Sequence, residues 1–387
     1  MRDGWEGQVP LGDVLRLRSE RSHSVSTLLS VTADRGVIRQ SESGRRDSSS
    51  ADKSLYWDVH SGDVVYNTMR MWQGVSGIAN EGGIVSPAYT VCEPVGGVNS
   101  RFLGWLLKEP TLVAKFLKLS QGLVSDTWNL KYSEFKKVPV DLPSLPEQRR
   151  IAEILDEVDA QIRRADAEIA KLSKVFRGTL LGAMAALRED PDTTWLPVNE
   201  VGEVRLGRQR SPEHSEGEFI RPYLRVANVF DGFIDYSDVL SMNFNPVEQE
   251  RYELQPGDIL LNEGQSIELV GRSALYDGPP GMFFQNTLIR FRSAEVLPEF
   301  ARLVFKYWLD TGAFADIAKK TTSIAHLGGD RFGAMLFPIP SEGAQRRAVK
   351  AVEEVGSASR HVGREVVKLK ELRRALSGDL LTGKVRV

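Results

Sequence analysis

Apolar residues recur at alternating spacings of four and three in the middle of the chain, after the proline-containing stretch 142–146. The positions are Ile151, Leu155, Val158, Ile162, Ala165, Ile169, Leu172 and Phe176. This alternation, held for more than three heptads, is typical of one helix of a coiled coil. Pro146 lies where a helix starts, with Glu147 in the first turn. The pattern predicts a long central helix whose narrow apolar seam needs a partner.

A second stretch near the end of the chain repeats the same register 197 positions later. The corresponding residues are Ala348, Val352, Val355, Ser359, Val362, Val366 and Leu369. All but Ser359 are apolar, so we expect this helix to pair antiparallel with the central one in a coiled coil. The alternative is that each helix packs only on its own neighbouring domain. An antiparallel pair would hold two globular parts at opposite ends, which suits a ligand with two separated sites, such as DNA half-sites.

Short apolar runs between glycines occupy the rest of the chain and predict strands. The runs are 64–66, 83–85 and 88–91 in the first half, and 259–261, 273–276 and 286–291 in the second half. Helical stretches follow in both halves, at 102–119 and 299–319. The sequence therefore predicts an α+β fold.

The two halves resemble each other at an offset of 195 to 197 positions. Residues 62–67, GDVVYN, match residues 257–262, GDILLN, and the string QRR at 148–150 recurs at 345–347. Chance similarity of common short strings is the alternative, but a tandem duplication explains several matches at nearly one offset. We predict two duplicated α+β recognition domains, at 1–142 and 191–341, with a central helix at 143–190 and a C-terminal helix at 342–387.

Composition places the chain among globular proteins without a membrane segment. Of 387 residues, 41% are hydrophobic and 26% are charged, and the single cysteine, Cys92, fits a reducing compartment. No secretory signal or membrane-length apolar run is present, so we expect a cytoplasmic protein. The region 192–341 holds 14 basic and 21 acidic residues, which is unusual for a domain that binds DNA alone.

Motifs of common enzymes are missing from the sequence. There is no Walker motif, no HExxH string and no NPPY string of amino-methyltransferases. One cysteine and five scattered histidines do not predict a Cys/His metal cluster. We therefore expect neither a catalytic residue nor a metal site.

The stretch LPSLPEQRRIAEIL at 142–155 resembles the junction between recognition domain and central helix in specificity subunits of Type I restriction-modification systems. The ending LSGDLLTGKVRV at 376–387 is similar to the C-terminal ending of that family. The second junction, 338–347, lacks the LPEQ string and departs from the pattern. The resemblance covers almost the whole chain when the repeat and the heptads are included.

This resemblance implies a non-catalytic subunit that reads a bipartite double-stranded DNA target, one recognition domain for each half-site. The helices would dock two methyltransferase subunits, and motor-nuclease subunits would join in some complexes. S-adenosylmethionine and ATP would be bound by those partners and not by this chain.

Loop-like clusters of amide, hydroxyl and basic residues are candidates for DNA contact, because such groups bond base edges and phosphates. The candidates are Arg70, Trp72, Gln73, Ser120, Gln121, Arg208, Gln209, Arg210, Asn262, Gln265, Ser266, Lys319, Lys320, Thr321, Thr322 and Ser323. The alternative for each is an ordinary solvated loop.

Rival functions use the same features differently. A coiled-coil scaffold that binds only proteins would explain the near-neutral charge. It would not explain why the globular parts diverged while the helical registers agree. A catalytic DNA-modifying enzyme and an orphan subunit that regulates or competes are the other two alternatives.

Overall fold

The structure is a computed structural model that describes residues 7–21, 27–44, 46–47, 49–50, 52–122, 127–211, 215–321 and 324–387. The chain divides into two compact units, and the parts of the two long helices are distributed between them. Unit 1 comprises Met1–Ala167 and Gly363–Val387, and unit 2 comprises Glu168–Val362.

Unit 1 combines short strands with a group of small helices. The strands are β1 (Gln8–Pro10), β2 (Leu15–Leu17), β3 (Leu29–Thr32), β4 (Gly36–Arg39), β5 (Trp57–Val59), β6 (Val64–Asn67), β7 (Ser76–Ile78), β8 (Gly83–Val85), β9 (Tyr89–Pro94) and β10 (Pro139–Asp141). The helices are α1 (Leu11–Val14), α2 (Ser100–Leu106), α3 (Pro110–Leu119) and α4 (Tyr132–Phe135), with 3-10 turns at Gln40–Glu42 and Met71–Gln73. Four strands form an antiparallel sheet in the order β2-β9-β6-β7.

Strand β6 lies inside this sheet, and both of its faces are covered. Val64 and Tyr66 point to one face, where they pack with Phe102, Phe116 and other residues of α2 to α4. Val65 points to the opposite face and joins a separate cluster with residues of β3, β4 and β8. A strand buried on both faces reads as a continuous apolar run, which is why 64–66 was recognisable in the sequence.

The helical stretch predicted at 102–119 is two helices in the structure. Helix α3 starts at Pro110, which fits the first helical position because its missing N–H has no partner there anyway. The Glu109 side chain caps this helix by accepting a hydrogen bond from the backbone N–H of Leu112 at 2.8 Å. The chain therefore changes direction between Leu106 and Pro110.

The long central helix, α5, runs from Leu145 to Glu189, and a second long helix, α11, runs from Glu342 to Leu380. Between them, unit 2 contains the strands β11 (Thr194–Pro197), β12 (Gly202–Leu206), β13 (Ile220–Leu224), β14 (Leu240–Asn243), β15 (Ile259–Asn262), β16 (Gly264–Gln265), β17 (Ser273–Leu275), β18 (Phe283–Phe284), β19 (Leu288–Ser293), β20 (Lys319–Lys320), β21 (Ala325–His326) and β22 (Leu336–Ile339). Its helices are α6 (Val198–Val201), α7 (Pro246–Tyr252), α8 (Pro298–Thr311), α9 (Ala313–Ile317) and α10 (Gly329–Gly333).

Unit 2 repeats the sheet of unit 1. Its antiparallel sheet has the order β12-β19-β15-β17, and β15 takes the inner place that β6 takes in unit 1. The strand pair β11–β22 likewise corresponds to β1–β10. The structure therefore supports the duplication that the sequence offset predicted.

The helical stretch predicted at 299–319 is also interrupted. Helix α8 ends at Thr311, since Gly312 adopts a left-handed conformation with φ of 83° that stops a helix. Helix α9 then ends at Ile317, and Lys319 belongs to the short strand β20. The predicted helical stretch is therefore confirmed from Pro298 to Ile317, in two helices, and is wrong only at its end.

The predicted heptad positions form the inward face of both long helices. Ile151, Leu155, Val158, Ile162, Ala348, Val352, Val362 and Val366 are buried, and Ala165, Ile169, Leu172, Phe176, Val355, Ser359 and Leu369 are partly buried. In unit 1, Ile151 and Leu155 near the start of α5 belong to the same core cluster as Leu380 at the end of α11. In unit 2, Leu180 and Met184 of α5 share a core with Val352 of α11.

Ion pairs beside the apolar seam also join the first part of α5 to the last part of α11. In unit 1, Arg373 pairs with Asp159, and the Lys370 ammonium lies 3.7 Å from an Asp166 carboxylate oxygen. In unit 1, the first part of α5 contacts the last part of α11. In unit 2, the last part of α5 contacts the first part of α11. The two helices therefore pair antiparallel. The predicted fold class, two α+β domains with an antiparallel coiled coil, is confirmed. The bounds of the four segments drawn from the sequence stay predictions.

No helix within the described ranges combines the length and the apolar character that crossing a membrane requires.

Candidate nucleic-acid interface

The turn after β6 holds the first predicted DNA-contact residues. The Asn67 side-chain oxygen accepts a hydrogen bond from the Met69 N–H at 3.0 Å, and the Trp72 indole N–H donates to the Met69 carbonyl at 3.0 Å. Met71 is fully buried and anchors the 3-10 turn, while Gln73 is exposed. Arg70 lies at the N-terminal edge of this turn. This hydrogen-bonded turn thus presents Gln73 to solvent.

The structure brings the second predicted cluster of unit 1 against this turn. Ser120 ends α3, and the backbone of Gln121 forms a two-way bridge with Asn129. The Trp72 and Trp128 rings meet edge to face with centroids 5.2 Å apart. Because Trp128 adjoins Asn129, the ring pair connects the turn after β6 with the end of α3. The five predicted residues of unit 1 therefore lie in two adjoining segments of chain.

In unit 2 the equivalent place after β15 is occupied by Asn262, Gln265 and Ser266. Gln265 and Ser266 are partly exposed, but the Asn262 side chain is fully buried. Its amide N–H lies 3.4 Å from the Val229 carbonyl, and its side-chain oxygen has no hydrogen-bond partner among the described residues. The expectation that Asn262 lies exposed in a loop is therefore corrected, because the strand β15 includes it.

A small sheet unites the last predicted cluster with Gln265. Gln265 and Lys320 both pair with Ala325, since β21 lies between β16 and β20. Ser266, Lys320 and Thr321 line a cleft of about 300 Å³ together with Ile324. Lys319 and Lys320 are exposed at its rim. Two of the predicted residues, Thr322 and Ser323, lie outside the described residues.

Arg208 is held inside unit 2 and does not project into solvent. Its Nε donates to a Glu248 carboxylate oxygen at 2.7 Å, and its Nη1 donates to the Asn243 carbonyl at 2.8 Å. Only 6% of the residue is exposed, and its guanidinium also lies over the Phe244 ring. The expectation of an exposed polar loop holds for Gln209 and Arg210, which are exposed, and is corrected for Arg208.

Arg272 and two phenylalanines form a further surface feature that sequence reasoning missed. Two backbone hydrogen bonds join this segment to Asn262. The Gly271 N–H donates to the Asn262 carbonyl, and the Asn262 N–H donates to the Arg272 carbonyl. The guanidinium lies over the Phe230 ring at 4.7 Å, and Phe233, which is 57% exposed, stacks on the same ring system with centroids 4.9 Å apart. Burial lowers the pKa of Arg272 from its ordinary value. In the sequence, Phe230 and Phe233 carry no signal that separates them from strand residues.

Ion pairs occupy many of the basic residues of unit 2. Arg290 pairs with Glu203, Arg292 with Asp258 and Lys306 with Asp231. These pairs place positive charge beside part of the carboxylates of the domain. Lys319 and Lys320 are exposed beside the cleft, which the carboxylate of Glu268 also lines.

Comparison with known proteins gives concordant matches. A family model described as Type I restriction modification DNA specificity domain matches residues 3–174. The chain is 26% identical over 283 residues to the Type I restriction enzyme EcoKI specificity subunit of Escherichia coli strain K12, an alignment that covers 68% of this chain and 60% of that relative. The chain thus spans less than two thirds of that relative's length.

Two solved structures have a similar fold. The S subunit of a Type-I restriction-modification system from M. genitalium superposes with a TM-score of 0.62 at 14% identity, over 97% of this chain and 95% of that one. A chain from a structural account of assembly and conformational transition in a type I R-M system gives a TM-score of 0.57 at 17% identity, over 99% and 98% of the two chains. At such identities the likeness supports the fold alone.

Proposed function

We propose that the chain is the DNA sequence-recognition subunit of a Type I restriction-modification complex, because residues 3–174 match the model of the DNA specificity domain of such systems. One globular domain reads each half of a bipartite double-stranded target. The chain itself performs no catalysis. S-adenosylmethionine and ATP belong to its partner subunits.

The observation that carries this proposal is the repeated position of the polar segments. The segment with Gln73 follows β6, and the segment with Gln265 follows β15, the equivalent inner strand of an equally ordered sheet. Between the two copies the sheets agree, whereas the residues after these strands differ. We call the segments with Gln73 and Gln265 the polar tips. Two different half-sites can be read by one common scaffold if these tips differ in their side chains.

The chemistry of the exposed tips suits base and phosphate contact. Glutamine side chains such as Gln73 and Gln265 offer a donor and an acceptor together, the combination that reads adenine in the major groove. Lys319 and Lys320 beside the cleft would contact phosphates, which position a protein on DNA without specifying sequence.

Partner subunits explain the acidic surplus of the second domain. Non-specific affinity for DNA rests on neutralised phosphates, and residues 192–341 carry more acidic than basic side chains. We propose that two methyltransferase subunits dock on the paired helices and complete the clamp, and that motor-nuclease subunits join in restriction. The isolated chain should therefore bind DNA weakly.

Selection from a random DNA pool tests the recognition role. The chain is co-expressed with a Type I methyltransferase subunit from the same organism, bound duplexes are separated by mobility shift, and the bound fraction is sequenced. We expect two short defined blocks with a fixed gap between them. Gln73→Ala should relax the sequence preference in one block, and Gln265→Ala should relax it in the other. Each substitution should reduce the free-energy difference between the preferred base and the other bases by about 1–3 kcal/mol, the usual contribution of one bidentate base contact. Lys384→Ala, which removes an exposed lysine at the C-terminal end, serves as the matched control.

A coiled-coil scaffold without sequence-specific DNA binding is the second candidate, favoured by the acidic surplus of residues 192–341. Stable assembly with the methyltransferase but no enriched sequence would support the scaffold and refute the recognition role.

A further inference from the structure

Glu20, Asp58 and His60 bring three potential metal ligands together on unit 1, away from the predicted DNA-contact turn. The His60 Nε2 lies 3.2 Å from an Asp58 carboxylate oxygen and 3.9 Å from a Glu20 carboxylate oxygen. One ligand atom of each residue lies within 4.8 Å of the other two. Asp58 and His60 sit at the β5 end that leads into β6, whereas the predicted DNA-contact turn follows the opposite end of β6.

The backbone holds the three residues in place. The Asp58 N–H donates to the Glu20 carbonyl at 3.0 Å, so the segment after β2 runs beside β5. The His60 N–H donates to the buried carboxylate of Asp63 at 2.8 Å. Asp63 is in turn fixed by Arg18, whose Nε donates to it at 2.8 Å. The cluster therefore depends on anchored chain and not on three independent surface side chains.

The local charge favours a cation. Four carboxylates surround His60: Glu20, Asp58, Asp63 and Glu93. Two cations, Arg16 and Arg18, pair with this group. The four carboxylates thus outnumber the two arginines that pair with them, which favours the binding of a cation.

We propose that Glu20, Asp58 and His60 form a binding site for a first-row divalent metal ion of the zinc class. Ligand bonds of about 2.1 Å place neighbouring ligand atoms roughly 3.0–3.4 Å apart, so small rotations of the Glu20 and Asp58 side chains suffice. The imidazole nitrogen favours zinc, cobalt or nickel over magnesium and calcium, which prefer oxygen ligands. Water completes the coordination, because all three side chains are partly exposed.

The ion would act as a clip within unit 1. It would connect the segment after β2 with the end of β5. The strands β2 and β5 belong to different sheets. The sequence predicted no metal site, because it contains no Cys/His cluster, whereas this site takes two of its three ligands from carboxylates. Metal binding at this site does not depend on the proposed DNA recognition.

Metal titration of the tag-free full chain, stripped by a chelator beforehand, tests the site. We expect one Co²⁺ per chain with visible ligand-field absorption, one Zn²⁺ by calorimetry, and a rise in melting temperature when Zn²⁺ is added. His60→Gln keeps a hydrogen-bond donor for Asp58 but removes the imidazole, and should weaken Zn²⁺ affinity by about tenfold or more. Glu20→Gln, at an exposed position, should weaken it as well without affecting the fold.

His326→Gln is the matched control. The His326 Nδ1 faces a single carboxylate, Glu263, at 3.0 Å and should not form part of a metal site. Unchanged Zn²⁺ binding by His60→Gln, or no stoichiometric binding by the wild-type chain, would overturn the proposal and leave a hydrogen-bonded His–Asp pair only.

Discussion

Gln148 and Gln345 show how a repeated residue can be structural. Each is buried near the start of a long helix, and each makes the same two hydrogen bonds. The Gln148 amide oxygen accepts from the Asn99 N–H, and its amide nitrogen donates to the Pro143 carbonyl, both at 2.9 Å. Gln345 bonds the Leu297 N–H and the Pro340 carbonyl in the same way. The repeated QRR string therefore contains a connector between a long helix and the domain that precedes it.

Replacement of this connector should destabilise unit 1. Gln148→Ala leaves the Asn99 N–H and the Pro143 carbonyl without their partner in a buried place, which costs about 1–3 kcal/mol of unfolding free energy. Urea denaturation followed by circular dichroism measures the loss. Gln161→Ala, at an exposed site of the same helix, should change the midpoint little. Equal effects of the two substitutions would contradict the connector role.

Arg208 and Arg210 should separate stability from DNA recognition. Arg208→Ala leaves the Glu248 carboxylate without its buried partner, so we expect a loss of about 3 kcal/mol in stability. Arg210→Ala removes an exposed side chain and should leave the melting temperature unchanged while weakening DNA binding by the assembled complex. The opposite assignment of the two effects would refute this division.

Glu203 should make part of the stability of unit 2 depend on pH. Burial raises the pKa of Glu203, but the hydrogen bond from Arg205 and the charge of Arg290 outweigh it, so the net pKa lies below the ordinary value. An acid with a depressed pKa stabilises the folded state above its unfolded pKa of about 4.3 and loses this contribution as the pH falls through its folded pKa. The stability difference between wild type and Glu203→Gln, measured by urea denaturation, should be present at pH 7 and shrink below about pH 4.

Sequence reasoning located the polar segments but not the exposure of each side chain. Gln73, Gln265 and Lys320 reach solvent, whereas Asn262 and Arg208 are buried. Asn262 continues the strand β15 by one residue, and Arg208 finds an acidic partner 40 positions away in Glu248. Both outcomes depend on tertiary contacts that local residue type does not specify.

At the scale of elements, the coiled coil was the most predictable part. Heptad spacing reports directly which residues face a partner, so the seam from Ile151 to Phe176 could be read without a structure. The helices before it were harder, because Glu109-Pro110 and Gly312 divide apolar runs that keep a helical period across the break. The short strands β16, β20 and β21 carried no periodic signal, since each has only two residues.

A charged side chain should destabilise the helix pair when it replaces a residue inside the apolar seam, but not when it replaces an exposed residue of the same helix. Ile162 is 3% exposed, and Ile162→Lys places an ammonium group against the partner helix, which should lower the unfolding free energy by about 2–5 kcal/mol. Val175→Lys, on the same helix but 44% exposed, should have little effect. Thermal melts recorded at the helical circular dichroism band compare the two. Similar melting temperatures would exclude the predicted seam at Ile162.

At the scale of the whole molecule, one chain carries two copies of a recognition scaffold and two helices in a shared register. The helical registers agree because both sequences must fit the same seam. The polar tips differ because nothing in the fold requires them to match. This difference is expected if both halves assemble through the same helix pair while each half contacts its own part of the ligand.

The gap between the two DNA blocks should depend on the length of the paired helices. If these helices hold the two recognition domains apart, as the sequence pattern predicts, lengthening both should lengthen the gap. Seven residues inserted at facing positions of α5 and α11 keep the heptad register and add about 10.5 Å at 1.5 Å per residue. At about 3.4 Å per base pair this corresponds to roughly three more unspecified base pairs. Selection from a random pool should return the same two blocks with the wider gap.

Insertion of the same seven residues into α5 alone is the matched control, because it leaves the facing helix short and breaks the pairing of the seams. This variant should lose stability and should select no bipartite sequence. An unchanged gap in the variant with both insertions would mean that the helices do not set the spacing, even where both blocks are still selected. The two insertion variants therefore test spacing by the helices separately from recognition by each domain.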